Sequence, residues 1–126
     1  MIVIDSSALM AIVLDEPEAD RCGQALLSEP DLVISAVTLS EALIVAGRRD
    51  RGAEMSELLD GLPLDIIPAS EAIARRVAET YSRWGKGRHP ACLNWGDCFS
   101  YVTARDRGCP LLYVGDDFAR TDLVAA

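Results

Sequence analysis

The chain has 126 residues, half of them apolar, which suits one globular domain with a buried core. No apolar run approaches the roughly 18 residues of a transmembrane helix, and the start lacks the basic segment of a signal peptide. We therefore expect a single domain over residues 1–126, in the cytoplasm and without a membrane partner. The net charge of −8 at first argues against nucleic acid as a partner.

The charge is, however, unevenly distributed along the chain. Residues 1–45 hold eight acids and one base, whereas residues 75–89 hold five bases and one acid. A basic segment of this kind is either a solvated helix face or a contact for a phosphate backbone. The local charge therefore leaves RNA or DNA open as a partner.

The four cysteines and one histidine form no common zinc motif. No two cysteines stand in a CxxC pair, and the spacing of His89, Cys92 and Cys98 matches no familiar ligand set. We interpret the cysteines as buried free thiols of a reducing compartment.

Short apolar runs alternate with helical patterns in chain order. Predicted strands cover residues 2–5, 32–35, 64–67 and 110–114, with a short fifth strand over 122–124. Predicted helices cover residues 7–14, 17–27, 38–47, 52–59, 70–84 and 94–107, and residues 85–92 form a basic loop. This alternation predicts an α/β fold with a mostly parallel sheet of four to five strands covered on both faces.

Four acids stand where predicted strands end or helices begin. Asp5 and Asp116 follow strands, and Glu41 and Asp97 lie in the first turns of helices. In a parallel sheet these positions share the carboxyl edge, where ligands bind. Converging carboxylates repel one another unless a hard cation such as Mg²⁺ or Mn²⁺ joins them. The sequence therefore indicates a nuclease-like or phosphatase-like metal site.

Each acid also has a purely structural explanation. Asp5 can cap a helix, and both Thr38–Glu41 and Asn94–Asp97 fit the pattern of a capping box. Asp116 and Asp117 can cap a turn. These explanations cover the acids one at a time and do not explain why they recur at one edge.

Several segments, taken in order, carry a family resemblance. They are Ile2–Leu9, Ser35–Ala42, Gly85–His89, Leu93–Tyr101, Leu111–Phe118, Thr121 and Asp122. Together they resemble the PIN-domain family, and within it the VapC-type toxins of bacterial toxin–antitoxin pairs. The likeness spans residues 2 to 124 and implies a PIN-like three-layer α/β/α sandwich. It also implies metal-dependent cleavage of RNA and restraint by a cognate VapB-type antitoxin.

The resemblance also implies roles for the acids. The family's acids match Asp5, Glu41, Asp97 and Asp116, with Asp117 and Asp122 as weaker candidates for the fourth. Asp5 and Asp97 would hold Mg²⁺, or Mn²⁺ in its place. Glu41 or Asp116 would position or deprotonate the attacking water, or take part in a second metal site.

Substrate and partner contacts are predicted in the same way. Ser6 and Ser7 are expected to donate to the phosphate or to orient Asp5, with helix capping as their structural alternative. Arg83, Lys86 and Arg88 are expected to hold the RNA backbone. The resemblance further implies a homodimer, and an antitoxin on the apolar surface of the helices near residues 7–27 and 38–59.

Two other function classes stay open on the sequence alone. A receiver-like or dehalogenase-like phospho-acceptor also places an Asp beside Mg²⁺ at a strand end. A dehalogenase-like site wants a second acid two residues after Asp5, where Ser7 stands, and the only lysine, Lys86, lies in the basic loop. A non-catalytic binding protein of the same fold is disfavoured because none of the four acids is missing.

Overall fold

The centre of the molecule is a sheet of four parallel strands. The computed structural model describes all residues 1–126. The strands are β1 (Ile2–Ile4), β2 (Leu32–Ser35), β3 (Leu64–Ile67) and β4 (Leu111–Leu112). Their order across the sheet is β3-β2-β1-β4, so that β1 pairs with β2 on one side and β4 on the other.

Six helices cover the two faces of this sheet. They are α1 (Ser6–Val13), α2 (Ala19–Ser28), α3 (Ala36–Arg48), α4 (Gly52–Asp60), α5 (Glu71–Trp84) and α6 (Trp95–Arg107), followed by a 3₁₀ turn at Phe118–Arg120. Because successive strand residues point to opposite faces, Ile2 and Ile4 pack with α1 to α4, and Val3 packs with α5 and α6. The predicted three-layer α/β/α sandwich is confirmed. None of the helices combines the length and the apolar character required to cross a membrane.

Two predictions about the sheet and its last strand are wrong. The fifth strand over residues 122–124 is absent, and this segment forms only an isolated bridge between Leu111 and Ala125. The strand predicted over 110–114 is limited to the two residues of β4. After β4 the chain turns at Gly115, whose φ of 106° favours glycine.

The start of α3 also differs from the prediction. Ser35 caps this helix, and its hydroxyl accepts a hydrogen bond from the Val37 N–H at 3.2 Å. Thr38 therefore lies inside the helix, and the capping box expected for Thr38–Glu41 is wrong. The Thr38 side chain is instead fully buried, and its hydroxyl contacts the Ser100 hydroxyl on α6.

The caps predicted for Asp5 and for Asn94–Asp97 are confirmed, whereas the Asp117 side chain makes no capping bond at the 3₁₀ turn. Asp5 caps α1 by accepting from the Ser7 N–H at 3.1 Å. Asn94 and Asp97 form a reciprocal capping box at the start of α6, with N···O distances of 2.8 and 3.0 Å. These caps fix the end of β1 and the start of α6 at the carboxyl edge of the sheet.

The aromatic side chains of α5 divide between core and surface. This helix buries Val77, Thr80 and Trp84, whereas Tyr81 is 38% exposed. The Trp84 indole N–H donates to the Tyr101 hydroxyl at 3.1 Å, so Trp84 belongs to the core.

All four cysteines are free thiols, as expected, but only two are buried. Cys22 and Cys98 are buried, whereas Cys92 is exposed and Cys109 is half-buried. The expectation of burial is wrong for Cys92, which lies in the loop before α6 between the buried residues Ala91 and Leu93.

Candidate active site

Asp5 is the most deeply buried of the predicted acids, with an exposure of 3%. Its Oδ2 accepts from the Ser7 N–H at 3.1 Å and from the Ser7 hydroxyl at 2.6 Å. Its Oδ1 accepts from the Ser100 hydroxyl at 2.6 Å. The Ser7 oxygen accepts in turn from the Val114 N–H at 3.0 Å. The carboxylate is thus fixed from α1, α6 and the segment after β4.

Glu41 is held between α1 and α6. The Ser6 hydroxyl donates to Glu41 Oε1 at 2.6 Å. On the other side, a β-carbon added to Gly96 would lie 2.5 Å from Glu41 Oε2, closer than van der Waals contact allows. Gly96 therefore lets the start of α6 approach the carboxylate. Ser7, rather than Ser6, makes the orienting contact with Asp5, and a phosphate contact of Ser6 stays a prediction.

Asp97 has the most perturbed carboxyl group of the predicted acids. Burial is the largest influence on it and raises the pKa, and the charges of Asp5, Glu41 and Asp117 raise it further. The hydrogen bond from the Asn94 N–H lowers the pKa, but the balance leaves it at about 7. Ser100 contacts Asp5 and Gly96 contacts Glu41, so the part of α6 that carries Asp97 lies beside both carboxylates.

The fourth acid of the site stays a prediction. Asp117 is among the charges that raise the pKa of Asp97. Asp116 lines a groove together with Glu18 and Arg21. Both residues are exposed in the turn after Gly115.

Asp122 lies in a different environment. Its Oδ1 accepts from the Tyr101 hydroxyl at 2.6 Å, and this bond is the main reason that the pKa of Asp122 is lowered. Arg83 and Arg105 stand 3.9 and 3.8 Å from its Oδ2. These contacts join α5, α6 and the C-terminal segment.

The predicted RNA contacts fall into two groups. Arg83 faces Asp122 and lies over the Trp84 ring at 4.5 Å, so its charge is partly engaged. Lys86 and Arg88 are exposed in the basic loop, residues 85–92. The Lys86 N–H donates to the Leu93 carbonyl at 2.9 Å, which anchors the loop immediately before α6. The free cations therefore lie in the segment that leads to Asp97.

Three residues of the site were missed on the sequence. They are Thr38, Gly96 and Ser100. Thr38 and Ser100 are fully buried hydroxyl residues whose oxygens lie 3.0 Å apart, although 62 residues separate them. The only signal in the sequence was a polar residue on the buried side of an apolar helix, and this signal does not identify the residue to which it is hydrogen-bonded.

The donor set suits a hard divalent cation. In this conformation no three His, Cys, Asp or Glu side chains come close enough to hold one ion between them. Mg²⁺ commonly takes only one or two protein carboxylates and keeps several waters. Asp5 and Asp97 would supply such a pair, and a bound cation would offset both the burial and the repulsion that raise the pKa of Asp97.

Comparison with known proteins identifies the family. A family model described as the PIN domain matches residues 2–124. A Ribonuclease VapC from Mycolicibacterium smegmatis is 42% identical over 128 residues, which cover 98% of this chain and 98% of that protein. Ribonuclease VapC30 from Mycobacterium tuberculosis is 41% identical over 126 residues, which cover 96% of this chain and 95% of that protein.

Solved structures show the same fold. VapC20 from Mycobacterium tuberculosis, described as a sarcin–ricin loop cleaving toxin, superimposes with a TM-score of 0.82 at 16% identity, over 100% of this chain and 98% of that one. A chain of a toxin–antitoxin complex from Klebsiella pneumoniae gives 0.74 at 23% identity, over 100% of this chain and 97% of that one. The chain belongs to the PIN-domain family. Within it, the chain is of the VapC type, and the receiver-like and dehalogenase-like alternatives are set aside.

In metal-free protein, we expect Asp97 to titrate near pH 7 rather than near its ordinary value of 3.8. Carbon-13 NMR of the carboxyl carbons measures this directly. Between those two pH values the folded protein binds more protons at Asp97 than the unfolded chain does, so the free energy of unfolding falls as pH rises. Asp97→Asn, which keeps an oxygen for the cap, removes this part of the pH dependence. A carboxyl carbon that titrates near pH 4 would contradict the convergence of the acids.

Proposed function

We propose that the protein is a metal-dependent endoribonuclease and the toxin of a type II toxin–antitoxin system. The observation that carries this proposal is the packing of the start of α6, which carries Asp97, against the carboxylates of Asp5 and Glu41 at the carboxyl edge of the sheet. The names of its relatives, VapC ribonucleases at 41% and 42% identity, supply the reaction. RNA as the substrate implies action in the cytoplasm.

Asp5 and Asp97 would hold the cation, Mg²⁺ or Mn²⁺, which when bound supplies a positive charge that polarises the scissile phosphate. Asp97 keeps one oxygen for this task, since its capping bond uses only Oδ2. Glu41, oriented by the Ser6 hydroxyl, is placed to accept a proton from the attacking water. Asp117 adds negative charge that favours cation binding.

The basic loop supplies the contacts to the RNA backbone in this proposal. Lys86 and Arg88 are exposed and form no ion pair, so their charges are available for phosphates. The loop joins α6 directly before Asn94, which places these cations on the strand-end side of the molecule. Arg83 would contribute less because it faces Asp122.

RNA cleavage by the purified protein, freed of any antitoxin, should require Mg²⁺ or Mn²⁺ and stop with EDTA. Asp5→Asn should lower the cleavage rate by about a hundredfold or more, because it removes a charge that the cation needs. Total cellular RNA is the first substrate, read by sequencing of the fragments.

Asp31→Asn is the matched control for this experiment. Asp31 is exposed and precedes β2, so it lies at the opposite edge of the sheet from Asp5. Its substitution should leave the rate unchanged. Cleavage that persists in Asp5→Asn, or in EDTA, would point to a contaminating nuclease and against the proposal. A folded protein that cleaves no RNA would favour a non-catalytic binding role.

The choice of the fourth acid can be tested by two neighbouring substitutions. Asp117→Asn should lower metal-dependent cleavage by about tenfold to a hundredfold, because Asp117 lies in the field of Asp97. Asp116→Asn should cleave at nearly the rate of the unaltered protein, because Asp116 lines the groove with Glu18 and Arg21. Both residues are exposed, so both variants should fold. The reverse order of rates would restore Asp116 as the fourth acid.

The family also suggests two protein partners. We propose a VapB-type antitoxin. Its apolar contact would be the cavity of about 300 Å³ on α3 and α4, which Leu39, Leu43 and Leu62 help to line.

We also propose a homodimer. Ile44 and Trp95 are 55% and 63% exposed, and both line the surface beside Glu41. Large exposed apolar side chains in one place favour a protein contact.

The homodimer should depend on this exposed apolar surface. Ile44→Asp should convert the protein to a monomer in light scattering, because it places a charge in the contact. Leu27→Asp is the control, since Leu27 is 88% exposed on α2, on a different helix. A dimer that survives Ile44→Asp would place the interface elsewhere, and a monomeric starting protein would contradict the homodimer itself.

A further inference from the structure

We propose that Thr38 and Ser100 form a buried hydroxyl relay that positions Asp5 to bind the catalytic cation. The proposal rests on the proposed function, in which Asp5 is a metal ligand. Ser100 lies on α6 and Thr38 on α3, and neither side chain reaches solvent. Both are positioning residues, because they act on the reaction only through Asp5.

The direction of hydrogen-bond donation along the relay follows from the Asp5 carboxylate at its end. A carboxylate only accepts hydrogen bonds, so the 2.6 Å contact uses the Ser100 proton. Ser100 has no second proton to give, and the 3.0 Å contact with Thr38 therefore uses the Thr38 proton. The order is Thr38 to Ser100 to Asp5. A hydroxyl that accepts one hydrogen bond becomes a stronger donor in the next.

The relay acts on the Asp5 oxygen that is open to a cation. An ionised carboxylate offers about four lone-pair sites, two on each oxygen. The Ser7 N–H and hydroxyl fill both sites on Oδ2, whereas Ser100 fills one on Oδ1. The remaining lone pair of Asp5 is therefore on Oδ1. Because Ser100 fixes the rotation of this oxygen, it determines where that lone pair points.

The alternative is that these hydroxyls only satisfy their own hydrogen bonds and have no effect on the site. Buried hydroxyls must find partners, and many do so on their own helix. Thr103 does this one turn along α6, where its hydroxyl donates to the Phe99 carbonyl at 2.7 Å. Ser100 and Thr38 instead bond across elements and end on a carboxylate. Thr103 is therefore a matched control with the same burial and no contact to Asp5.

The experiment measures Mn²⁺ binding to the metal-free protein by calorimetry, with RNA cleavage as a second measurement. Ser100→Ala should weaken Mn²⁺ binding by about 10- to 100-fold, the usual cost of losing a hydrogen bond to a metal ligand. Thr38→Val should weaken it less, on the order of threefold, since one neutral hydrogen bond is lost further away. Thr38→Ser keeps the hydroxyl and should bind like the unaltered protein, as should Thr103→Ala.

The double variant separates a relay from general destabilisation. Thr38→Val should have no further effect on Mn²⁺ binding once Ser100→Ala is present, because the path to Asp5 is already broken. Unchanged binding in Ser100→Ala would overturn the relay, as would an equal effect of Thr38→Val in both backgrounds. Loss of binding in Thr103→Ala would also overturn it. If the unaltered protein itself bound no Mn²⁺, the proposed metal-dependent function would fail, and the relay with it.

Discussion

The organisation of this molecule depends on a carboxylate that is buried at the end of its central strand. Asp5 follows β1, the strand with neighbours on both sides, and is only 3% exposed. A buried charge is costly unless hydrogen bonds replace its water. Three donors from Ser7 and Ser100 meet this requirement. Ser7 lies on α1 and Ser100 on α6, on opposite faces of the sheet. The hydrogen bonds to Asp5 therefore also fix the positions of these two helices relative to β1.

The same constraint explains why the site is electrostatically unfavourable without a ligand. Burial makes ionisation of Asp97 costly, and the neighbouring acids add to this cost, so that its pKa is raised to about 7. Acids held this close together have a cost that a bound divalent cation would remove. Groups with perturbed pKa values cluster at functional sites.

The sequence predicted the three layers and the position of the carboxyl edge of the sheet. It did not predict which side chains from different elements contact one another at this edge. Hydrophobic runs and caps are local signals, and they located β1, β3 and the capping box of α6 well. The contact between Thr38 and Ser100 joins residues 62 positions apart, and no local pattern encodes it. Thr38 illustrates the difficulty, because its spacing to Glu41 imitated a capping box that Ser35 makes unnecessary.

The choice between Asp116 and Asp117 is beyond sequence reasoning for a related reason. The two residues are adjacent in the turn after Gly115, and both are exposed. The structural and functional explanations of the acids also proved compatible. Asp5 and Asp97 both cap helices, and capping uses only part of the lone pairs that each carboxylate offers. A cap fixes the carboxylate in direction and leaves an oxygen lone pair free, and a rigid metal ligand needs both properties.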